Sequence, residues 1–266
     1  MSALVVERVG PGATVQDLGR PGWMHQGVPR GGPLDRALFA RTQRSLGNAE
    51  GCAAIELPWH GARFRAHGAV IVSVDGVVSA LDDGARFDVP AASYAVRYVG
   101  VRGGVDVPRA LGSRGTLLAA ALGGLDGRML RKGDALVAGD EVAGEASACD
   151  GEVDTARSVR VTQGPDAFEG ASIARLLASE FAVSDLVDRV GMRLRGEPIA
   201  PPGDAAGRSA PMVRGAIEVT PDGALIVLGP DHPTTGGYPV IAVVALDDLG
   251  SLAQRRPGAR VRFTLR

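Results

Sequence analysis

The stretch AIEVTPDGALIVL, residues Ala216 to Leu228, decides the class of fold. Two short runs rich in branched aliphatics flank Pro221-Asp222-Gly223. Proline presets φ for the first corner of a turn, and glycine accepts the positive φ of the next. The stretch therefore predicts two antiparallel strands, Ala216 to Val219 and Ala224 to Leu228, joined by a tight hairpin. Working outward, similar runs recur at Leu4 to Val9, Ala69 to Val74 (closed by Asp75-Gly76), Tyr94 to Val101, Ser158 to Thr162, Tyr238 to Leu246 and Arg260 to Leu265. Many short strands with Gly and Pro between them predict a mainly β chain, closed or sandwiched, and not a βαβ layout.

Helical signals are fewer. Pro33 to Leu46 starts on proline, carries Asp35 at the positive end of the dipole and stops at Gly47-Asn48. Pro165 to Phe181 places Ile173, Leu176, Leu177 and Phe181 on one face of a helix. A short third helix is predicted from Asp247 to Gln254, before Pro257.

The chain has 266 residues, long enough for two lobes. The segment from Gly139 to Arg157 is small, acidic and aperiodic, and it reads as a connection. The predicted division is residues 1–140, a linker or loop over 141–157, and residues 158–266. Each lobe has an Asp opening a Gly-containing run that reaches an aromatic, Asp17 to Trp23 and Asp231 to Tyr238, a pattern that duplication would leave.

A formal net charge of -1 gives no pull toward nucleic acid or an anionic membrane. Lys132 is the sole lysine, so arginine supplies nearly all the positive charge; a high-GC coding sequence is the favoured account, over a need for bidentate anion contacts. Cys52 and Cys149 match no metal spacing and read as free thiols in a reducing compartment. Met1 to Val9 lacks the apolar core of a signal peptide, and no apolar run approaches the ~20 residues of a membrane span. These features predict a cytoplasmic location.

No Walker-type phosphate loop, dinucleotide fingerprint, nucleophile elbow or metal-spaced histidine pair occurs. Two stretches carry chemistry instead. In Thr14 to His25, Gln16 and Asp17 stand beside Arg20 between glycines. Asp17 would orient Arg20 toward a substrate carboxylate, and His25 would move a proton near neutral pH; the alternative is a turn stiffened by an Asp–Arg bridge. In Asp231 to Pro239, Thr234 and Thr235 precede Gly236, Gly237 and Tyr238 at a strand end. Hydroxyls and freed backbone N–H groups there would nest a carbonyl or anionic oxygen; the alternative is a wide turn. Loop arginines Arg114, Arg128 and Arg189 are further substrate-binding candidates, or surface ion pairs of small value. Glu56, inside the apolar run Ala53 to Leu57, reads as a solvent-facing strand position.

Taken in order, these blocks resemble the family that contains the C component of 5-oxoprolinase, allophanate hydrolase subunit 2 and KipA, also called the biotin-dependent carboxyltransferase family. The pattern runs through TVQDLGRPGWMHQGVP (Thr14 to Pro29), GGPLD (Gly31 to Asp35), LGN (Leu46 to Asn48), AIEL (Ala54 to Leu57) and GGVDVPRALGSRGT (Gly103 to Thr116). It continues with GGLDGRMLRKGD (Gly123 to Asp134), QGPDAF (Gln163 to Phe168), DRVGMRL (Asp188 to Leu194), DHPTTGGYP (Asp231 to Pro239) and AQRRPGARVRF (Ala253 to Phe263). The resemblance implies two cyclophilin-like β-barrel lobes with a few short helices. It also implies a partner, an allophanate hydrolase subunit 1 homologue (the B component of 5-oxoprolinase), joined in the 5-oxoprolinase branch by an A component. That assembly uses ATP to open 5-oxoproline to glutamate. A urea carboxylase-type module would instead depend on biotin carried by another chain, and a KipA-like protein would bind and regulate.

By the chemistry of these motifs the catalytic candidates are Asp17, His25 and Thr235. The substrate-binding candidates are Gln16, Arg20, Arg114, Arg128, Arg189, Thr234, Gly236, Gly237 and Tyr238, with no metal. The chain departs from the family pattern at several positions. Gly31 stands where a serine is usual, and Gln43 replaces an asparagine. Gly115 and Leu117 replace a hydroxyl and a carboxylate, and His232 and Pro233 replace Arg and Gln. The usual IQVP reads Ile217-Glu218-Val219-Thr220.

Overall fold

The structure, a computed structural model, describes residues 2–149, 151–153, 155, 158–203 and 209–266. The chain is mainly β, with a sheet that curls into a nearly closed barrel. It divides into two compact units, Met1–Arg20 with Gly31–Val153, and Pro21–Arg30 with Asp154–Arg266.

The first unit contains β1 (Ala3–Val9), β2 (Thr14–Gln16), α1 (Arg36–Ser45), β3 (Ala54–Pro58), β4 (Ala62–His67), β5 (Val70–Val74), β6 (Val77–Leu81), β7 (Arg86–Val89), β8 (Val96–Val101) and β9 (Ala135–Val137). Its strands form two sheets, in the orders β7-β4-β1-β9 and β2-β3-β8-β5-β6. The side-chain period of two explains the core. Leu4 and Val6 of β1 and Ala62, Phe64 and Ala66 of β4 turn inward, while Arg63 and Arg65 turn out to meet Asp88 and Glu7.

The second sheet is covered on both faces. Ile55, Leu57, Val99 and Val101 join the main core, whereas Ala54 and Tyr98 lie against Leu38 and Phe39 of α1. Asp35 caps this helix by accepting from the Leu38 N–H at 3.0 Å. Helix and strand approach so closely that a Cβ on Gly100 would lie 2.6 Å from the Leu46 side chain. Glu56 points to the helix side, so it is buried, contrary to the solvent-facing expectation. Its Oε2 accepts from the Tyr98 hydroxyl at 2.7 Å and from the Leu34 N–H at 2.8 Å. The sequence pattern gave no sign that α1 would cover that face.

Residues of the predicted linker belong in part to the first unit. The Ala143 and Gly144 N–H groups donate to the Gly47 carbonyl, Ser147 N–H to Ser45, and Cys149 N–H to Gly76. Backbone hydrogen bonding, invisible to a composition argument, recruits this aperiodic stretch as a strap over the C-terminal end of α1. Residues 150, 154, 156 and 157 of the linker lie outside the described residues.

The second unit contains β10 (Val159–Gln163), α2 (Gly170–Ala178), β11 (Phe181–Val187), β12 (Gly191–Arg195), β13 (Ala210–Pro211), β14 (Ala216–Val219), β15 (Leu225–Leu228), β16 (Thr235–Gly236), β17 (Val240–Val244), α3 (Leu249–Ala253), β18 (Arg260–Val261) and β19 (Phe263–Leu265). An eight-stranded sheet runs β18-β11-β12-β15-β14-β17-β10-β19, and β13 pairs with β16. The predicted hairpin is present: Val219 pairs with Leu225 across the turn. The predicted helix Pro165 to Phe181 is shorter at both ends. Ser179 is extended, and Phe181 starts β11 opposite Val261. Phe181 still reaches the core beside Leu176, but at strand spacing with Val183.

Replacing Tyr98 by Phe removes a hydrogen bond to a buried carboxylate. The expected cost is about 1.5–3 kcal/mol, read as a lowered urea midpoint at unchanged slope.

Candidate functional site

In the first unit, residues 14–20 and 113–116 are tied together. The Asp17 carboxylate accepts from Gly19 N–H at 2.8 Å, Ser113 hydroxyl at 2.6 Å and Arg114 N–H at 2.6 Å. Gln16 donates through Nε2 to the Thr116 carbonyl and to Thr14 Oγ1, both at 3.0 Å. The Arg20 guanidinium donates to the Gly115 carbonyl. Gln16, Asp17 and Arg20 are buried. Here the carboxylate holds the 113–115 backbone, and the guanidinium meets a main-chain oxygen of the same loop. Gly115 is explained too: a Cβ would stand 3.0 Å from Asp17 Oδ1 and 3.1 Å from Gln16 Oε1, so the hydroxymethyl group of the family pattern does not fit without movement.

The other predicted arginines also have internal work. Arg114 bridges Glu141 and Asp106, both at 2.9 Å, and donates to the Val107 carbonyl at 3.0 Å. Arg128 forks onto Asp134 at 2.8 and 2.9 Å. Arg189 forks onto Asp231 through Nε at 2.8 Å and Nη2 at 2.9 Å, with both partners buried. These contacts set the shape of loops. His25 lies in a 3-10 turn, Met24–Gln26, exposed and 3.2 Å from the Gln26 amide. Cys52 is buried; burial, then the Glu141 charge, push its thiol up to about 11, so it is not a thiolate nucleophile at neutral pH.

In the second unit the segment 231–240 is clamped at both ends. Asp231 is held by Arg189, and Asp166 Oδ2 accepts from the Val240 N–H at 2.7 Å. Between them, Thr235 and Gly236 pair with Pro211 and Ala210, and Met212 N–H donates to the Thr234 carbonyl at 3.0 Å. His232 is buried, its Nδ1 2.7 Å from the Pro233 carbonyl. Thr235, Gly237 and Tyr238 are exposed, and Thr234 and Gly236 are half-buried. The clamps thus present the residues of the Thr-Thr-Gly-Gly-Tyr run on a fixed frame.

Beneath this segment lies Glu218 of β14, which in the sequence stands out only as a departure from the family pattern. Its exposure is 7%. It shares its face of the sheet with Ala216 and pairs in register with Ile226 and Val240. A Cβ on Gly236 would lie 2.7 Å from Glu218 Oε1 and 3.0 Å from the Met212 side chain. Among the described residues, no ion pair or hydrogen bond engages the Glu218 carboxyl, and burial pushes its pKa up. Strand alternation, which puts Ile217 and Val219 in the core and Glu218 opposite, was the available signal.

Known proteins share this arrangement of chain almost end to end. The model of the carboxyltransferase domain, subdomain A and B, matches residues 26–265. The chain belongs to this family. It is 31% identical to the C component of 5-oxoprolinase from Haemophilus influenzae over 94% of its own length and 87% of that protein. It is 30% identical to the C component of 5-oxoprolinase from Escherichia coli over 98% of this chain and 90% of that one. The solved urea amidolyase of K. lactis superposes with a TM-score of 0.88 at 26% identity, over 98% of this chain. This chain spans only 18% of that structure. Such relatives make the carboxyltransferase-family chain a component of enzyme assemblies.

Two outcomes test the site's construction. Asp231→Ala removes the bidentate acceptor of a buried arginine and is expected to cost about 3–5 kcal/mol in chemical unfolding. Glu218 has a raised folded pKa, so its contribution to stability is complete on the acid side of its ordinary range and is lost as pH rises through the raised value. Glu218→Gln is expected to flatten that limb of the stability–pH curve, measured by thermal unfolding at stepped pH.

Proposed function

We propose that this chain is one member of an ATP-dependent, lactam-opening assembly that converts 5-oxoproline to glutamate and is inactive without its partners. The observation that carries this reading is the mutual coverage with relatives named as the C component of 5-oxoprolinase, nearly end to end on both sides. The urea amidolyase match is as complete on this chain but is a small part of a much longer protein. The partners are a homologue of allophanate hydrolase subunit 1, which is the B component, and a homologue of the A component, working in the cytoplasm.

The second-unit segment supplies the substrate-facing groups in this proposal. Thr234, Thr235 and the backbone of Gly236 and Gly237 would hold oxygens of the substrate, and Tyr238 would flank it. His25 is a proton carrier by chemistry and exposure. Asp17, Gln16, Arg20, Arg114, Arg128 and Arg189 act by fixing the loops. The candidate arginines of this chain are engaged with Asp134, Glu141, Asp106, Asp231 and the Gly115 carbonyl. The proposal therefore places nucleotide binding, and activation of the unreactive lactam carbonyl, on a partner. The urea carboxylase-type reading is the second one, favoured by the urea amidolyase likeness. It needs a biotin carrier on another chain, since Lys132 sits in Arg-Lys-Gly and not in a carrier motif.

The test is ATP-dependent glutamate release from 5-oxoproline, by this chain alone and with its partners. Glutamate is expected only from the assembly, and Thr235→Ala is expected to lower kcat/KM about 100-fold. An assembly that forms but transfers the carboxyl group of a carboxybiotin-loaded carrier to urea, leaving free biotin on the carrier, would select the second reading. Assembly with no turnover of either substrate would select a KipA-like binding role.

A further inference from the structure

Four strands stand at the edges of the two sheets of the first unit, β7 and β9 in one and β2 and β6 in the other. A sheet edge exposes unpaired backbone donors and acceptors, and folded chains blunt it with charge, proline, brevity or a covering segment. Three of these edges are blunted. β7 carries Arg86 and Asp88. The Val137 carbonyl of β9 accepts from the Asp106 N–H at 2.9 Å, and the Val15 carbonyl of β2 accepts from the Thr116 N–H at 2.8 Å. β6 is different. It reads Val-Val-Ser-Ala-Leu, with no charge, no proline and an unbroken register with β5. Val77 is 61% exposed, and Ala80 is exposed.

The direction of the β6 backbone groups follows from its hairpin. Asp75 and Gly76, both at positive φ, form a two-residue turn, so the flanking pair Val74–Val77 exchanges hydrogen bonds. Exchange then alternates along the ladder. Ser79 and Leu81 turn their N–H and C=O groups to β5, and Val78 and Ala80 turn theirs outward. In keeping with this, the carbonyl of Ile71, opposite Ala80, accepts from Arg102 N–H on the other side of β5 at 2.9 Å. Among the described residues, no hydrogen bond outside the ladder engages the backbone of Val78 or Ala80. The side chains alternate as well. Val77, Ser79 and Leu81 share the core face with Val74, Val72 and Val70. Val78 and Ala80 share the other face with Ser73, whose hydroxyl lies 2.7 Å from that of Ser45 in α1.

We propose that β6 is an interface between two copies of this chain, paired antiparallel about a two-fold axis through Ser79. This pairing sets Val78 opposite Ala80 of the second copy, and Ala80 opposite its Val78. All the outward N–H and C=O groups of both strands are then matched, in four main-chain hydrogen bonds. Val77 comes to lie beside Leu81 of the second copy, which covers its exposed side chain. One step beyond the strand, Asp82 faces Gly76 of the second copy on the α1 side. Arg41 of α1 lies there: a Cβ on Gly76 would stand 3.1 Å from Arg41 Cγ. Among the described residues neither Asp82 nor Arg41 has an ion pair. The two-fold axis therefore brings an unpaired acid toward an unpaired base at each end of the ladder. Each β6 edge is used up by the other, so the association closes at two copies and joins two five-stranded sheets into one. This holds whichever amide is processed, and it gives any assembly built on this chain two copies of it.

The test is analytical ultracentrifugation of the full chain over a range of concentrations, alone and with its partner components. Wild type is expected to pass from one chain to two and no further. Ala80→Pro removes an outward N–H that the fold does not use, and is expected to weaken the dimer about tenfold or more, the loss of two hydrogen bonds per dimer. Asp82→Arg sets arginine against Arg41 and is expected to weaken the dimer about threefold or more; adding Arg41→Asp is expected to restore it. The charge exchange leaves the strand backbone alone, so it decides the matter even where the proline variant does not fold. Cysteines read the register. In a Cys149→Ser background, Ser79→Cys stands opposite its own copy in a non-hydrogen-bonded pair and is expected to form an intermolecular disulfide under mild oxidation. Ala80→Cys, which stands opposite Val78, is expected not to.

A chain that stays single at every concentration, a dimer unmoved by both Ala80→Pro and the charge reversal, or Ser79→Cys cross-linking no better than Ala80→Cys would overturn the inference. So would a single chain whose binding of a partner component is lost in Ala80→Pro, since the edge would then belong to that component.

Discussion

The buried Arg189–Asp231 ion pair sets what the second unit can present. The segment after β15 must leave the sheet, cross open ground and return as β17, and a loop of that length has many shapes available. Forking a rigid guanidinium onto the first carboxylate of the loop fixes the point of departure. The Asp166 carboxylate on the Val240 N–H fixes the return. With both ends set, pairing of two residues with β13 is enough to hold the middle. The exposure of Thr235 follows from that frame.

The first unit solves a related problem with different partners. There an aspartate again opens a Gly-containing run, but Asp17 spends its charge on two backbone N–H groups and a serine hydroxyl. The two Asp-led runs are thus alike in position and in burial of the carboxylate, and unlike in what the carboxylate holds. Charge in this chain is used largely to replace regular secondary structure: loops with no ladder of their own are closed by side chains that stand in for it.

Strand positions were legible because their hydrophobic pattern and their Gly/Pro punctuation agree, as at Ala216 to Leu228. Helix α1 was legible from Asp35 at its positive end and from its Gly47 stop, although it begins at Arg36 and not at Pro33. What was not legible depended on partners distant in sequence. Glu56 reads as a surface residue until α1 is seen to cover its face. Phe181 satisfies a helical period and a strand period equally, and pairing with Val261 decides between them. The arginines of the loops look like substrate ligands because nothing in a motif reveals the acids that face them. Glu218 had one signal, its alternation with Ile217 and Val219, but the burial of its face depends on Val240 and Gly236, which are distant in sequence.

The eight-stranded sheet has one more property. Its two outer strands, β18 and β19, come from Arg260–Val261 and Phe263–Leu265, on either side of one residue, and β19 lies parallel to β10 at the start of the unit. The second unit keeps both flanks of this sheet open until residues 260–265 have joined it. During that interval β10 and β11 offer unpaired edges to any neighbouring chain. A chain shortened by half a dozen residues would keep both edges unpaired, the condition under which one sheet can add strands from another.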